Sequence, residues 1–476
     1  KAEPHLKVLL PLLKANRAKA YLVGGFLRNL LLNKKDSNLD LDFAVSRDAL
    51  KLAKDFSRKI KGFYVLLDKE ERCARVIHNL KGKTHTLDFA QFRGPTIKDD
   101  LAKRDFTINA LGMEVERIFK AAALEEILLD ECNGLKDLRR GLIRLVSKQS
   151  FKDDPLRIVR AFSLAATLGF AIDKTALQQV KKDRLRLADV AGERLRDELF
   201  KILNVEDSAK YLRMMDELEV LEEIIPQISL MRNVAQGPYH HLDVLQHSLE
   251  AVSQLEQIFK ETQDNPDIVN YLKQDLVVNR SRKALMKLGA LLHDIGKPQS
   301  KKLKEDRTLF HGHERVGKDI SDGIAEMLKL SNQEKDALEK MILWHLRPGY
   351  LADNELPTPR AVFRYFRDTG EEGISTLLIS LADQRATRGP LTSEKDRLQH
   401  ERVNMELIAD YFKKQKEKKL PPLITGNDLI KKLKLNPSPL FGKILREVEE
   451  SRAEGAVKTK GEALSLASNI AKGQNA

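Results

Sequence analysis

The first 145 residues alternate short apolar runs with turn-forming residues, a pattern typical of β-strands joined by turns and helices. From about residue 150 onward, apolar residues instead recur at helical spacing, for example over 155–170 and 193–204. The pattern therefore predicts an α+β protein in which an α/β head is followed by mostly helical domains. The five runs predicted to form strands are AKAYLVGG, LDLDFAV, FYVLLD, ARVIHNL and HTLDFAQF.

Length and loop-like segments divide the chain further. Its 476 residues exceed what a single hydrophobic core organises, so several domains are expected. The stretch VAQGPYHH predicts a loop, and the charged stretch KKQKEKKLPPLITGND predicts a linker. We expect four parts, namely a head over 1–145, a helical neck over 146–235, a third domain over 236–400 and a helical tail over 401–476.

The net charge of the chain indicates which classes of molecule it binds. The net charge is +13 and the pI about 9.4, which favours a polyanion such as nucleic acid, although basic surface also serves solubility. The two cysteines, Cys73 and Cys132, form no CxxC pair, which argues against a cysteine zinc site or a disulfide framework. No apolar run reaches the roughly 18 residues of a membrane helix, so we expect no membrane partner and a cytoplasmic protein.

Two aspartates on a predicted strand indicate a metal site. Asp40 and Asp42 lie two residues apart in LDLDFAV and therefore project from the same face of the strand. Such close carboxylates repel each other unless a cation lies between them, and oxygen-only ligands favour Mg²⁺. Asp88, in HTLDFAQF, is the candidate third catalytic acid of a two-metal site for phosphoryl transfer. The alternative is that the pair merely ends a strand near solvent.

A Gly-Gly turn precedes the aspartate pair. Gly24 and Gly25 follow an apolar strand and begin the predicted helix GGFLRNLLL, where backbone amides are well placed to bind phosphate. Arg28, one turn into that helix, adds a charged donor. A tight turn without function is the alternative for Gly-Gly alone. The order strand, Gly-Gly, helix and DxD resembles the nucleotidyltransferase superfamily that includes DNA polymerase beta.

Four further motifs follow in order: DDLAKRDFTINALGM, DECNGLKDLRRGLIRLV, FKDDPLRIVRAFSLAATLGF and GERLRDELFKIL. Together they resemble the bacterial class II tRNA nucleotidyltransferase and poly(A) polymerase family over most of residues 20–205. The resemblance implies an enzyme that adds nucleotides to the tRNA 3′ end without a nucleic-acid template. It also implies CTP, and in some members ATP, as the nucleotide, and Mg²⁺ at the aspartate pair.

The resemblance also implies roles for the motif KRDFTINA. Arg104 would contact the phosphates of the nucleotide, and Asp105 would bind the ribose 2′-hydroxyl. Lys103 stands where the family has its first arginine. It keeps the positive charge but lacks the two-pronged guanidinium, which puts the role of this position in doubt.

Base selection is expected from the next motif. Asp154 and Arg157 are three residues apart on a predicted helix and therefore share a face, as does Arg160. A carboxylate accepts hydrogen bonds and a guanidinium donates them, which matches the amino group and ring nitrogen of cytosine and adenine. Guanine and uracil would leave buried groups unpaired. Protein side chains would thus act as the template, and an ordinary surface ion pair is the alternative.

The connection between Arg93 and Arg104 is short. Only GPTIKDDLAK joins them, whereas CCA-adding members of the family carry a flexible loop here. Such a deletion resembles the CC-adding enzymes, so we expect addition of two cytidines. A full CCA-adding enzyme, an A-adding enzyme and a poly(A) polymerase share the head motifs and stay open as alternatives.

Residues 236–400 hold an ordered series of motifs: HHLDVLQHSLEAV, LGALLHDIGKP, LFHGHERVGKDI, MILWHLRPGYL and LADQRATR. The series, with its His-Asp pair on an apolar helix, resembles the HD phosphohydrolases. The resemblance implies phosphodiesterase or phosphatase activity, with Lys297 near phosphate and Mn²⁺, Ni²⁺, Co²⁺ or Fe as the metal. Its ligands would be His247, His293, Asp294 and Asp383, and His313 and His345 match the additional histidines of two-metal members.

The tail resembles the segment that follows the HD domain in this family. Lys431, Lys432 and Lys434 are candidate RNA-binding residues for the body of the tRNA, although such lysines are usually a solvated face. An alternative of a different class is an HD phosphohydrolase on an RNA-binding scaffold that has lost transfer activity. The acidic residues of the head argue against it. Protein partners are not indicated by any motif.

Overall fold

The computed structural model describes residues 3–34, 39–80, 82–121, 123–278, 280–304, 307–353, 356–417 and 421–473. These residues form two compact units. The first comprises Lys1–Ile202 with Met215–Ile224, and the second comprises Leu203–Met214 with Ile225–Ala476. Residues 418–420 of the predicted linker lie outside the described residues.

Nine short strands and twelve helices are described up to residue 224, and the α+β prediction is confirmed. The strands are β1 (Ala20–Val23), β2 (Leu39–Val45), β3 (Phe63–Asp68), β4 (Cys73–Leu80), β5 (Lys83–Gln91), β6 (Gly112–Glu114), β7 (Leu128–Leu129), β8 (Leu142–Ile143) and β9 (Ala171–Ile172). The helices are α1 (Glu3–Ala15), α2 (Gly25–Leu31), α3 (Ala49–Ile60), α4 (Ile97–Ala102), α5 (Val115–Ile118), α6 (Gly134–Arg140), α7 (Ser150–Asp153), α8 (Arg157–Leu168), α9 (Lys174–Asp183), α10 (Gly192–Leu203), α11 (Ser208–Glu217) and α12 (Leu221–Ile224).

The head is built on a seven-stranded sheet of order β3-β4-β5-β2-β1-β6-β7. All five predicted strands belong to it, and β2 pairs with β5 in parallel while the other pairs are antiparallel. Strands β6 and β7 have three and two residues. They are too short to show a two-residue period, which is why the sequence pattern did not predict them.

One face of this sheet packs against α1 and α3. In β2 the side chains of Leu39, Leu41 and Phe43 are buried in that core, and the Phe43 ring stacks on Phe89 of β5 at 5.0 Å. Each fully buried side chain of this kind contributes roughly 1.5–3 kcal/mol. Because successive side chains of a strand point to opposite faces, this core directs Asp40 and Asp42 to the other face.

The second unit is mostly helical. The helix Val244–Glu261 packs against the helices Gly373–Ala386 and Arg282–Leu292, and the three helices between Gly426 and Lys472 share a small apolar core. The strands are β10 (Asp275–Val277), β11 (Arg280–Ser281), β12 (Lys302–Lys304) and β13 (Arg307–Leu309). The helices are α13 (Val244–Glu261), α14 (Pro266–Leu272), α15 (Arg282–Leu292), α16 (Lys297–Ser300), α17 (His313–Met327), α18 (Asn332–Trp344), α19 (Arg347–Ala352), α20 (Pro359–Thr369), α21 (Gly373–Ala386), α22 (Glu394–Lys416), α23 (Gly426–Leu433), α24 (Pro439–Ala453) and α25 (Lys460–Lys472).

Within the described residues, no helix combines the length and the apolar character needed to cross a lipid bilayer.

Candidate active site and metal centre

The Gly-Gly turn lies directly against the aspartate pair. Gly24 has a φ of +74°, and a Cβ built on it would lie 2.6 Å from Oδ2 of Asp42. A side chain at this position would therefore be strained in its backbone and would collide with the carboxylate. The turn between β1 and α2 consequently brings backbone within contact distance of Asp42.

The carboxylate of Asp42 is held in an unfavourable electrostatic environment. Burial and the neighbouring carboxylate of Asp40 raise its pKa to about 6, against the attraction of Arg104. Asp40 is exposed and Asp42 is half-buried. Two carboxylates in this arrangement are stabilised by a divalent cation, so the residues present fit the Mg²⁺ that the sequence predicts.

Asp88 lies beside Asp42 but already has a cationic partner. The two residues are directly paired in the parallel register of β2 and β5. Both oxygens of Asp88 accept hydrogen bonds from Arg75, Nε to Oδ1 and Nη2 to Oδ2, each at 2.8 Å. A metal-binding role for Asp88 therefore stays a prediction, and it requires Arg75 to release the carboxylate. No motif of the sequence marks Arg75, and only the register of β4 and β5 places it opposite Asp88.

A cleft of about 260 Å³ opens beside the turn. It brings together most of the residues predicted to bind the nucleotide, together with others that the sequence analysis did not assign. The predicted residues in its wall are Gly24, Gly25, Asp42, Asp88, Arg104, Asp105, Asp154, Arg157 and Arg160. The other residues in its wall are Val23, Phe43, Cys73, Ala90, Arg93 and Asn109.

Asp105 is buried and fixed from three sides. Its carboxylate accepts hydrogen bonds from the backbone N–H of Phe106 at 2.8 Å and from Nδ2 of Asn109 at 3.1 Å, and it pairs with Nε of Arg160 at 3.0 Å. Burial alone would raise the pKa of Asp105, but Arg160 and these hydrogen bonds lower it below its ordinary value. The group is thus an ionised, oriented acceptor at the cleft wall.

Asn109 connects this acceptor to the helix after the Gly-Gly turn. Its Oδ1 accepts a hydrogen bond of 2.8 Å from Nη1 of Arg28, while its Nδ2 donates to Asp105. Arg28 is 8% exposed and lies in the wall of a second cavity of about 420 Å³, which also reaches Asp40 and Asp42. Asn109 was not among the predicted site residues, although its place in the KRDFTINA motif was a signal for it.

The prediction that Asp154 and Arg157 share one helix is wrong. Helix α7 ends at Asp153 and α8 begins at Arg157, while Asp154 has an extended backbone with φ −150° and ψ 103°. The physical reason is Pro155, because a residue that precedes proline is disfavoured in the α conformation. Both side chains nevertheless reach the same cleft.

The two residues have different partners in the structure. Oδ2 of Asp154 accepts a hydrogen bond of 2.9 Å from Arg194. Arg157 donates to the carbonyl oxygens of Ser150 at 3.3 Å and Lys103 at 3.2 Å. The acceptor and the donor proposed for base selection are thus each held by neighbouring residues of the same unit.

The segment between Arg93 and Arg104 is held together at its two ends by hydrogen bonds, and we call it the closed segment. Thr96 and Asp99 form a capping box that begins α4, which ends at Ala102. Nζ of Lys103 donates to the carbonyl of Arg93, and Arg93 donates back to the carbonyl of Lys103 at 3.4 Å. These reciprocal bonds fasten the two ends of the segment together.

The histidine motifs of the second unit converge on two adjacent ligand groups. In each group the ligand atoms all lie within 4.8 Å of one another. Oδ2 of Asp294 lies 3.2 Å from Nε2 of His293, and Oδ1 lies 3.2 Å from Nε2 of His313, so this carboxylate stands between the groups. The groups are His247, His293 and Asp383, and Asp294, His313 and His345.

Three of these imidazoles are oriented by the backbone. Nδ1 of His293 lies 2.8 Å from the carbonyl of Ala290, and His313 and His345 make the same contact with the carbonyl three residues before each of them. With Nδ1 directed to a backbone carbonyl, the Nε2 edge of each of these rings faces the cluster. Imidazole and carboxylate donors in this arrangement fit Mn²⁺, Ni²⁺, Co²⁺ or Fe.

The charges of the cluster also fit a cation. Burial alone would lower the pKa of His293, but the carboxylates of Asp294 and Asp383 raise it to about 10. Burial and the neighbouring histidines His293 and His313 lower the pKa of His345 to about 3. In this structure, protonated His293 thus supplies positive charge next to the carboxylates, which a bound metal would otherwise supply. Nζ of Lys297 lies 2.6 Å from Oδ2 of Asp294 and contributes part of it.

The predicted RNA-binding lysines lie in the tail. Lys431 and Lys432 are exposed on α23, and Lys434 follows the helix with a left-handed φ of 52°. Their contact with RNA stays a prediction.

Four protein families match consecutive parts of this chain. The Poly A polymerase head domain family matches residues 20–144, and the HD domain family matches residues 244–388. Residues 169–231 match the RNA and SrmB-binding site of polymerase A, and residues 391–467 match the tRNA nucleotidyltransferase domain 2 family.

Curated relatives align over nearly the whole chain. The A-adding tRNA nucleotidyltransferase of Deinococcus radiodurans is 32% identical over 93% of this chain and 94% of its own length. The CC-adding tRNA nucleotidyltransferase of Geobacter sulfurreducens is 30% identical over 93% of this chain and 90% of its own. The fold matches the Thermotoga maritima CCA-adding enzyme complexed with tRNA, with a TM-score of 0.62 and 22% identity over 98% and 94% of the two chains. The chain therefore belongs to the class II tRNA nucleotidyltransferase and poly(A) polymerase family, and it carries an HD domain.

Proposed function

We propose that this protein adds two cytidines from CTP to the 3′ end of tRNA without a nucleic-acid template. The observation that carries the proposal is the closed segment between Arg93 and Arg104. In CCA-adding members a flexible loop stands here, and the short connection of this chain resembles that of CC-adding enzymes.

The closed segment also fixes the arginine proposed to select the base. Arg157 donates to the carbonyl of Lys103, which is the residue fastened to Arg93 at the end of the segment. Switching from cytosine to adenine requires the donor and acceptor to move, because the pairing edges of the two bases lie at different positions. With Arg157 tied to a segment that is itself fastened at both ends, the cleft keeps one arrangement, which favours addition of a single kind of base without a switch.

The other residues of the cleft bind and orient the nucleotide. Arg104 supplies positive charge for the triphosphate, and the ionised Asp105 accepts a hydrogen bond from the ribose 2′-hydroxyl. Asp154 and Arg157 pair with the base. Mg²⁺ held by Asp40 and Asp42, with Asp88 as a third acid, would activate the attacking hydroxyl and stabilise the leaving pyrophosphate.

Addition of A is a second candidate, favoured by the 32% identity to the A-adding relative. The deciding experiment offers the protein one labelled nucleotide at a time, with tRNA that lacks CCA and with tRNA that ends in CC. Our proposal expects two C on the first substrate and nothing on the second. Incorporation of A on the second substrate would contradict it.

We also propose that the HD domain hydrolyses phosphate esters at RNA ends, such as 2′,3′-cyclic phosphates. The two adjacent ligand groups joined by Asp294 support this, since metal ions there would generate hydroxide from water. The test compares Asp294→Asn with Asp42→Asn. The first is expected to lose hydrolysis of a 2′,3′-cyclic nucleotide and keep C addition, and the second to do the reverse. Loss of both activities in either variant would argue against two separate sites.

A further inference from the structure

The sheet face that carries the acidic residues extends beyond the nucleotide cleft as far as strand β3. Residues that are paired across neighbouring strands project from the same face of a sheet. Two rows of such paired residues therefore cross β3, β4, β5 and β2 on this face. The first row is Val65, Arg75, Asp88 and Asp42, and the second row is Phe63, Ile77, Thr86 and Asp40.

Strand β3 presents apolar side chains to solvent on this face. Phe63 is 68% exposed and Val65 is 40% exposed, and we call these two residues the apolar stripe. In the described part of the chain, β3 is the last strand on this side of the sheet. Arg75 of β4 lies between the stripe and Asp88, and its side chain is 40% exposed. An exposed aromatic ring beside an arginine is a combination that binds single-stranded RNA.

We propose that the last nucleotides of the RNA substrate lie along this side of the sheet, where Arg75 binds a phosphate and the apolar stripe contacts bases. The inference rests on the proposed transfer of nucleotides to an RNA 3′ end. It adds the surface that holds the acceptor strand and a role for Arg75.

The geometry of phosphoryl transfer sets the direction from which the RNA arrives. The attacking 3′-hydroxyl and the leaving pyrophosphate lie on opposite sides of the α-phosphorus. The Gly-Gly turn, which is proposed to bind the phosphates, follows β1, and β1 flanks β2 on one side. Asp88 lies on β5, which flanks β2 on the other side. The 3′-hydroxyl should therefore reach the metal site across β3, β4 and β5.

The distance along this route suits a short single strand. Neighbouring strands of a sheet lie about 4.8 Å apart, so the apolar stripe on β3 is about 14 Å from β2. The last few nucleotides of an RNA span this distance. A base stacked on Phe63 would thus belong to the strand whose 3′-hydroxyl lies at Asp88 and Asp42.

Arg75 can bind a phosphate once Asp88 turns to the metal. Both oxygens of Asp88 accept hydrogen bonds from Arg75 in this structure, and the proposed role of Asp88 as third acid requires that pair to open. A phosphate offers a guanidinium the same two-pronged pairing as a carboxylate. The exchange of partners keeps the charge of Arg75 compensated and releases Asp88, so binding of the RNA end would complete the metal site.

The other face of β3 provides an internal comparison. Leu66 is 48% exposed, but it is paired with Ala74 and, through it, with Phe89 of the buried core. Leu66 therefore has the exposure of the apolar stripe without its position beside the acids. The edge of β3 could also pair with a second copy of this chain. Arg75 and the register with the metal site favour RNA.

The experiment measures binding of a tRNA acceptor minihelix that lacks CCA, by fluorescence anisotropy with Mg²⁺ and without nucleotide. The outcome is independent of which nucleotide the enzyme transfers, so failure of the proposed C addition would not alter it. Phe63→Ala should weaken binding about tenfold and leave the slope of log K against log salt unchanged, because stacking involves no charge. In steady-state kinetics this variant should raise KM for the RNA and not for CTP.

Arg75→Gln should weaken binding and reduce the magnitude of the salt slope by about 0.7, the value for one phosphate of a single strand. Arg75→Lys should restore the slope, because it keeps the charge. Arg58→Gln is the matched control, since Arg58 pairs with Asp55 on α3, which packs against the other face of the sheet. Its salt slope should equal that of the wild type.

Leu66→Ala is the matched control for Phe63→Ala and should bind the minihelix as the wild type does. Equal weakening by these two variants would overturn the proposal, and so would wild-type binding by both Phe63→Ala and Arg75→Gln. Sedimentation equilibrium tests the other occupant of the edge. A dimeric wild type with a monomeric Phe63→Ala variant of unchanged RNA affinity would assign the stripe to contact between two copies and would also overturn it.

Discussion

At the scale of single residues, we expect the carboxylate of Asp42 to lower the folding stability of the metal-free protein while being required for C addition. Its raised pKa of about 6, against an ordinary 3.8, means that ionisation of Asp42 opposes folding in the absence of a cation. This penalty is fully present above pH 6 and disappears as the pH falls below 4. Asp42→Asn should therefore stabilise the metal-free protein by about 1–3 kcal/mol at pH 7 and leave stability at pH 4 unchanged. The same variant should lose C addition.

Denaturant unfolding in chelator at the two pH values measures this effect. The control is Asp40→Asn, which removes the same charge from an exposed position and should change stability less. Destabilisation of the Asp42→Asn variant at pH 7 would show that the carboxylate is not under electrostatic strain.

Asn109 is expected to position the ribose-binding acceptor. Asn109→Ala removes the hydrogen bonds from Nδ2 of Asn109 to both carboxylate oxygens of Asp105 and the bond from Arg28, all in buried surroundings. Asp105 would then be held less firmly in the orientation proposed for binding the ribose, so kcat/KM for CTP should fall about tenfold, the equivalent of about 1.4 kcal/mol. Because Asp105 is the proposed partner of the 2′-hydroxyl, the preference for CTP over 2′-deoxy-CTP should fall as well.

Asn29→Ala serves as the comparison for Asn109→Ala. Asn29 also accepts from Arg28, at 3.1 Å from Nε, whereas the carboxylate of Asp105 is bonded by Phe106, Asn109 and Arg160. Its variant should keep the ribose preference of the wild type. If both variants lose that preference equally, Arg28 and not Asp105 determines it.

At the scale of elements, the closed segment around α4 should control base selection. Lys103→Ala removes the side-chain bond to the Arg93 carbonyl that fastens the segment, next to the carbonyl that holds Arg157. The preference for CTP over ATP, measured as a ratio of kcat/KM values, should fall about tenfold, because release of the segment lets the cleft rearrange to pair with adenine. Lys98→Ala is the matched control, since Lys98 lies on α4 within the same segment but pairs with Glu131 at the surface. An unchanged ratio in the Lys103→Ala variant would mean that the closed segment does not determine which base the enzyme selects.

The strands and helices were predictable wherever apolar residues recur at a regular spacing along the sequence. The alternation of Leu39, Leu41 and Phe43 with two aspartates gave both the strand and the face of its carboxylates, because one side of β2 is a continuous core. The prediction failed where a local constraint outweighs the period. A helical spacing runs through FKDDPLRIVRAF, but Pro155 breaks it and leaves Asp154 extended.

Pairings between distant elements could not be read from the pattern. The bidentate Arg75–Asp88 pair depends on the register of β4 and β5, and the Arg28–Asn109 bond joins residues 81 positions apart. Periodicity identifies faces of strands and helices but does not say which faces meet. The resemblance to known motifs predicted most residues of the cleft. Their hydrogen-bond partners became evident only from the structure.

At the scale of the whole molecule, the net charge of +13 predicts that tRNA binding weakens steeply with salt. If Lys431, Lys432 and Lys434 contact phosphates, replacing all three by Ala should lower the slope of log K against log salt by roughly 2 to 3. A comparable triple replacement of exposed lysines, Lys301, Lys302 and Lys304, should change the slope little, although it removes the same charge. Filter binding of tRNA at several salt concentrations gives both slopes. Equal slopes for the two triple variants would mean that the tail lysines act through net charge alone, and a slope unchanged from wild type would remove them from the tRNA contact surface.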